Sequence, residues 1–140
     1  MPGRATAAAF FVAVACLALI GCNRPTWSTP DGAYALLVGA VRKGDYKVAW
    51  DALSEASKRA IEERSKALAA ASGGALEDDP QALFFGSGEQ PQPAQKIEVV
   101  REEGEMAVIS VTPDEGPPRD LRMVKESGGW KLDVSDLLKD

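Results

Sequence analysis

Two thiols, no imidazole and 21 carboxylates make up most of the reactive inventory of this 140-residue chain. Cys22 is the distinctive thiol. It stands behind Leu19, Ile20 and Gly21, where an unbroken apolar run stops and polar sequence begins, whereas Cys16 lies inside the run. The lack of His removes the commonest general base and metal ligand. A carboxylate can do acid–base work alone when burial raises its pKa. Here, however, Asp31 and Asp45 read as helix-start residues, and Asp133 alternates away from Trp130 and Leu132. The acidic cluster Glu77, Asp78 and Asp79 runs into Pro80 and lacks the alternating ligand spacing of a calcium loop. Gly73 and Gly74 follow a helical pattern and do not open one after a strand, so no phosphate-binding glycine motif is present. These patterns lead us to expect no catalytic residue, no metal site and no cofactor.

The surroundings of Cys22 divide into the three parts of a secretory signal. Arg4 and the amino terminus give a thin positive region, Ala7 to Ile20 form an apolar stretch of 14 residues without a charge, and small Gly21 precedes the thiol. A helix needs about 20 apolar residues to span a bilayer, so a permanent transmembrane helix is the weaker reading. Leu19, Ile20, Gly21 and Cys22 resemble the lipobox of bacterial lipoproteins, in which an aliphatic residue, a small residue or Ile, and Gly or Ala precede the modified Cys. The resemblance implies that the Cys22 thiol takes a diacylglyceryl group, that cleavage follows Gly21, and that Cys22 becomes the new terminus in the bacterial cell envelope. The blander alternative is an ordinary cleaved signal with Cys22 incidental. Each buried methylene of an anchor contributes about 0.8 kcal/mol, and two acyl chains hold a protein stably where one does not. The mature protein is thus expected to be anchored to a membrane without spanning it.

Loss of residues 1–21 would remove Cys16, leaving no pair for a disulfide. It would also remove Arg4 alone among the charges, leaving 15 Lys plus Arg against 21 Asp plus Glu. So acidic a domain is a poor electrostatic partner for nucleic acid or anionic lipid head groups. The expected organisation is a signal over residues 1–21, a lipidated anchor and short linker over 22–29, and one α+β domain over 30–140, long enough for a single core.

Thr29 is a candidate N-cap with Pro30 at the first helical position and Asp31 in the first turn. Tyr34, Leu37, Val38 and Val41 make one apolar stripe, and Gly44 suits the left-handed position after the last turn. Asp45 caps a second helix with the stripe Tyr46, Ala49, Trp50 and Leu53. A third is expected from about Glu55 to Ala71, starting near Ser54. It turns Ile61, Leu68, Ala60, Ala67 and Ala71 inward and carries i,i+4 charge pairs such as Lys58 with Glu62 on a solvated face. Glycines and prolines then break any regular element over residues 72–94, leaving Leu83, Phe84 and Phe85 as an apolar knot.

From Gln95 the period becomes two. Ile97 and Val99 start a strand, Gly104 marks a turn, Met106 to Thr112 form a second strand, Leu121 to Lys125 a third, and Trp130, Leu132 and Val134 share one side of a fourth. Short turns between consecutive strands mean an antiparallel meander. Helices first and strands afterwards give an α+β class, with the N-terminal helices packed on a four-stranded antiparallel sheet.

The order of elements, with Lys43, Gly44, Asp45, Tyr46, Lys47, Ala49 and Trp50 in the helical hairpin and Gly129 to Asp133 at the end, resembles the nuclear transport factor 2-like superfamily. Within it the likeness is to bacterial lipoproteins whose globular part is a domain of unknown function. The resemblance implies a curved sheet closed into a cone, with a concave pocket or sheet face for a small ligand or an envelope protein. Candidate lining residues are Tyr34, Trp50, Phe84, Phe85 and Trp130, each of which also suits plain core packing. Isomerases and dehydratases share the fold, so a catalytic role is the alternative. On the second strand Ala107, Ile109 and Val111 lie on one side and Met106 and Val108 on the other. Both sides are apolar, which points to a covered outer face, either a homodimer through the sheet or the loop that carries Leu83 to Phe85.

Replacing Cys22 by Ser should abolish incorporation of labelled palmitate and move the protein out of the membrane fraction. Continued lipidation of Cys22→Ser would refute the anchor.

Overall fold

The structure, a computed structural model, describes residues 24–87 and 90–139; the expected signal segment and Cys22 lie outside them. Helix α1 (Pro30–Lys43) begins where Thr29 Oγ1 accepts a hydrogen bond from the Gly32 N–H, and it ends at Gly44, whose φ of 74° turns the chain into α2 (Tyr46–Asp51). Only glycine adopts that conformation without strain. Asp45 caps α2 through the Val48 N–H, and Ser54 caps α3 (Glu55–Ala71) through the Ser57 N–H.

A fourth helix, α4 (Pro80–Gly86), occupies the stretch expected to hold no regular element. Its signal is the one that starts α1: Asp79 accepts from the Ala82 N–H at 3.0 Å, and Pro80 supplies a preset φ where no donor is needed. The knot of Phe84 and Phe85 is the buried side of this helix. Helix α3 also departs from expectation. It buries Ser57, Ile61 and Ser65, while Leu68, Ala67 and Ala71 are exposed, Leu68 bordering open space beside Leu83. Lys58 pairs back to Glu55 at 3.0 Å.

Strands β1 (Ala94–Glu103), β2 (Met106–Pro113), β3 (Arg119–Glu126) and β4 (Gly129–Asp133) form an antiparallel meander in the order β1-β2-β3-β4, and a 3-10 turn follows at Ser135–Leu138. The helices pack on one sheet face, which makes this an α+β fold. Ala107, Ile109, Val111, Met123, Trp130 and Leu132 form the inner face, and they meet Tyr34, Leu37, Ala49, Leu53, Ile61 and Phe84 in one core.

The free edge of β4 is covered by chain from the N-terminal half. Leu132 N–H donates to the Ala52 carbonyl at 2.9 Å, Ser54 N–H to the Leu132 carbonyl at 2.9 Å, and Trp130 N–H to the Trp27 carbonyl at 2.9 Å. Trp27 thus belongs to the folded body although it precedes α1. Its approach requires Gly129: φ there is 113°, and a Cβ would collide with the Trp27 carbonyl oxygen and lie 3.0 Å from the Trp27 Cβ.

Gly129→Ala should therefore lower unfolding stability by about 2 kcal/mol, through backbone strain and loss of the Trp27 contact. Thermal melts followed by circular dichroism check it, and an unchanged midpoint would show that Trp27 docks loosely.

Candidate functional site: a cavity between sheet and helices

The layers do not close completely. Between α1 and the inner sheet face lies an open cavity of about 510 Å³, a size within the usual ligand-pocket range of about 300–1,000 Å³. Val111, Leu121 and Leu132 form its floor from three successive strands, with Val134 beyond the end of β4. Tyr34 of α1 and Phe84 of α4 form the walls, and the segment from Gln90 to Pro93 runs along one side. Leu137 and Leu138 stand at the C-terminal margin, and exposed Glu115 and Arg119 at the β2–β3 connection.

Tyr34 is 2% exposed and places a phenol in this apolar setting. Burial pushes its pKa up, and the hydrogen bond from Oη to the Gln92 carbonyl, at 3.4 Å, accompanies that burial. A phenol so held stays neutral at physiological pH, and with its proton directed at the Gln92 carbonyl its oxygen can still accept a hydrogen bond. Among the lining residues only Tyr34, Glu115 and Arg119 carry ionisable side chains. The arrangement can hold an apolar body against the sheet and offer opposite charges to a polar end at the mouth.

Of the aromatic residues expected at the pocket, Tyr34 and Phe84 line the cavity, and the other three sit elsewhere. Trp130 is 2% exposed within the core. Trp50 is half-buried against the core, and Phe85 stacks on Tyr46 at a centroid distance of 5.0 Å and meets Phe84 edge-on at 5.3 Å. Met106 and Val108 lie on the outer sheet face. Val108 borders a shallow groove with Val100, Arg101, Asp120 and Arg122, and Met106 is exposed. The floor residues follow from the period-two pattern, since Val111, Leu132 and Val134 have inner-face parity, but Gln90 to Pro93 carry no pattern that marks them as a wall.

A second constellation lies at the junction of α3 and β4. Asp133 points away from Trp130 and Leu132, as its parity requires, yet its side chain is only 7% exposed because the first turn of α3 covers it. Ser54 and Ser57 hydroxyls each lie 3.2 Å from Oδ1, and the Ser135 N–H donates to the same oxygen at 3.1 Å. On the other side, Arg122 Nε and Nη2 donate to Oδ2 at 2.9 and 2.6 Å, and Arg122 Nη1 reaches Asp136 at 2.8 Å. Burial alone would raise the Asp133 pKa, but hydrogen bonds from Ser135 and Arg122 outweigh it and hold the carboxyl below its usual range. Stable ionisation, full pairing and a side chain that is not among the cavity lining fit a structural clamp. Among the described residues no group of three or more Cys, Asp or Glu is arranged to hold a metal, and no helix is long and apolar enough to cross a membrane.

Compared with models of protein families, with curated proteins and with solved structures, the chain matches none.

Asp133→Asn should destabilise the domain by about 2 kcal/mol at neutral pH, by taking from Arg122 the more buried of its two carboxylate partners. Because the folded pKa is depressed, this contribution is complete above the ordinary carboxylate range and is lost as pH falls through the lower folded value. Urea titrations should show wild type and variant converging only on strong acidification, and a difference independent of pH would exclude a charge-based clamp.

Proposed function

We propose that this chain is a lipid-anchored envelope protein whose nuclear transport factor 2-like domain binds an apolar small molecule, or the apolar tip of a protein partner, without catalysis. The cavity beside Tyr34 carries the reading: apolar side chains from three strands line it, and its two charged residues, Glu115 and Arg119, are exposed. Such a division suits a ligand with an apolar body and a polar end. The alternative of an isomerase or dehydratase has less support, because the interior offers one neutral phenol with raised pKa, while Glu115 and Arg119 stay exposed.

The anchor rests on Leu19 to Cys22 and on the short distance that follows. Since Trp27 is already docked on β4, only Asn23 to Thr26 separate the thiol from the folded body, at most about 15 Å of extended chain. On this reading the cavity works close to the membrane surface, where ligands with apolar bodies are concentrated.

Phenylnaphthylamine, a neutral apolar dye, should bind the purified protein saturably with enhanced fluorescence, and Leu121→Trp, which fills the floor, should weaken binding at least about tenfold while leaving the circular dichroism unchanged. Binding that is absent in the wild type, or equal in the variant, would overturn the cavity reading.

A further inference from the structure

The two edges of the sheet are treated in opposite ways. Trp27, Ala52 and Ser54 hydrogen-bond to the edge of β4, whereas β1 pairs only with β2, and among the described residues no other backbone bond reaches Ala94–Glu103. Ten residues of strand, about 33 Å, are left with one bare side. Every β1 residue except Ala94 and Ile97 is exposed, and two of them are large and apolar: Val99 at 40% and Val100 at 54%, in the middle of the strand. An open edge centred on exposed valines is a template for another strand.

The charges along the edge select which strand. Lys96, Glu98, Arg101 and Glu103 stand opposite Thr112, Ser110, Val108 and Met106, every second residue of β2, so all four occupy the outer face. They do so only because the register shifts between Val99 and Arg101; without that bulge the first pair and the second pair would lie on opposite faces. Along the outer face the edge therefore reads positive, negative, positive, negative, with Val99, opposite inner-face Ile109, and the bulge residue Val100 between the two pairs. This pattern complements itself when the strand is turned end for end about Val99 and Val100: Lys96 meets Glu103 of a second copy, Glu98 meets Arg101, and both contacts occur twice. A slip of two residues opposes Lys96 to Arg101 or Glu98 to Glu103, and an in-register parallel pairing opposes like to like throughout. Opposed like charges disfavour each of those alternatives. Lys96 and Glu98 contact each other at 2.9 Å within the strand, but both are more than half exposed, so that pair is weak and free to exchange.

We infer that β1 is the docking edge for a second copy of this chain, the two strands pairing antiparallel about Val99 and Val100 so that the sheets join into one of eight strands. The contact is isologous, as a two-fold pairing requires. It covers Val99 and Val100 and leaves the cavity lining outside the contact. It also needs no lipid anchor, so its success or failure is separate from that of the proposed function.

The test uses the full-length protein in mild detergent with a cysteine at the dyad. Directly opposed residues of paired strands have Cβ atoms about 5 Å apart. In this pairing Val99 stands opposite Val100 of the second copy, so mild oxidation of a mixture of Val99→Cys and Val100→Cys proteins should give a covalent dimer, at least about tenfold more than Lys66→Cys on the exposed side of α3, after subtraction of the wild-type background from Cys16 and Cys22. With both proteins of the mixture carrying it, Glu98→Lys or Arg101→Glu alone should cut the cross-linked fraction about tenfold, and the two together should restore it. Thermal melts of the same preparations separate loss of pairing from loss of fold. Cross-linking of the mixture no greater than that of Lys66→Cys, or a double variant as weak as the singles with all melts alike, would overturn the inference.

Discussion

Asp133 stands where the last strand meets the first turn of α3, and its two oxygens gather donors from the helix start, from β3 and from the residue that opens the C-terminal turn. Few positions in the fold could tolerate such a charge. It is permitted because both oxygens are fully partnered, and it is useful because the partners come from three parts of the fold. The Ser57 hydroxyl extends the junction by accepting the Val134 N–H at 2.8 Å, so the chain leaving β4 is held to the helix as well. All buried side-chain polar atoms among the described residues have partners. Removing one member would leave several groups desolvated without compensation, which is why such a junction behaves as a unit.

From this junction follows the shape of the cavity. The clamp ties α3 and the C-terminal turn to one end of the sheet, while α1 packs on β4, β1 and β2. Among the described residues no further α-helix fills the wedge between them. The chain crosses it instead as Gln90 to Pro93, a stretch whose two prolines have restricted φ and no N–H to satisfy. Such a wall encloses space at low conformational cost, and the Tyr34 hydroxyl ties α1 to it through the Gln92 carbonyl.

Much of this was legible in local sequence, and the exceptions share a cause. Thr29, Asp45 and Ser54 announce helix starts because capping is a short-range interaction, complete within three residues. The same signal at Asp79 and Pro80 is masked by the surrounding glycines and prolines. Periodicity places Ile61 and Leu68 on one stripe of α3, but it carries no information about where the opposing surface ends, so Leu68 is exposed. Parity puts Asp133 on the side away from Trp130, yet what buries it is Ser54, 79 residues distant in sequence. Likewise, parity assigns Trp130 to the inner face without distinguishing a core position from a cavity wall. Non-local partners decide depth, and a single sequence does not display them.

The same separation governs the order in which the molecule can be completed. The helices are made first, but the edge of β4 on which Ala52 and Ser54 close lies almost 80 residues further along the chain. At about 5–20 residues per second, the helical half waits roughly 4–16 s for that strand. During this interval its apolar stripes have no sheet to pack on, and short helices alone are marginal in water. The helices therefore stay without their native packing until β4 is made, and the native state locks only when that strand arrives.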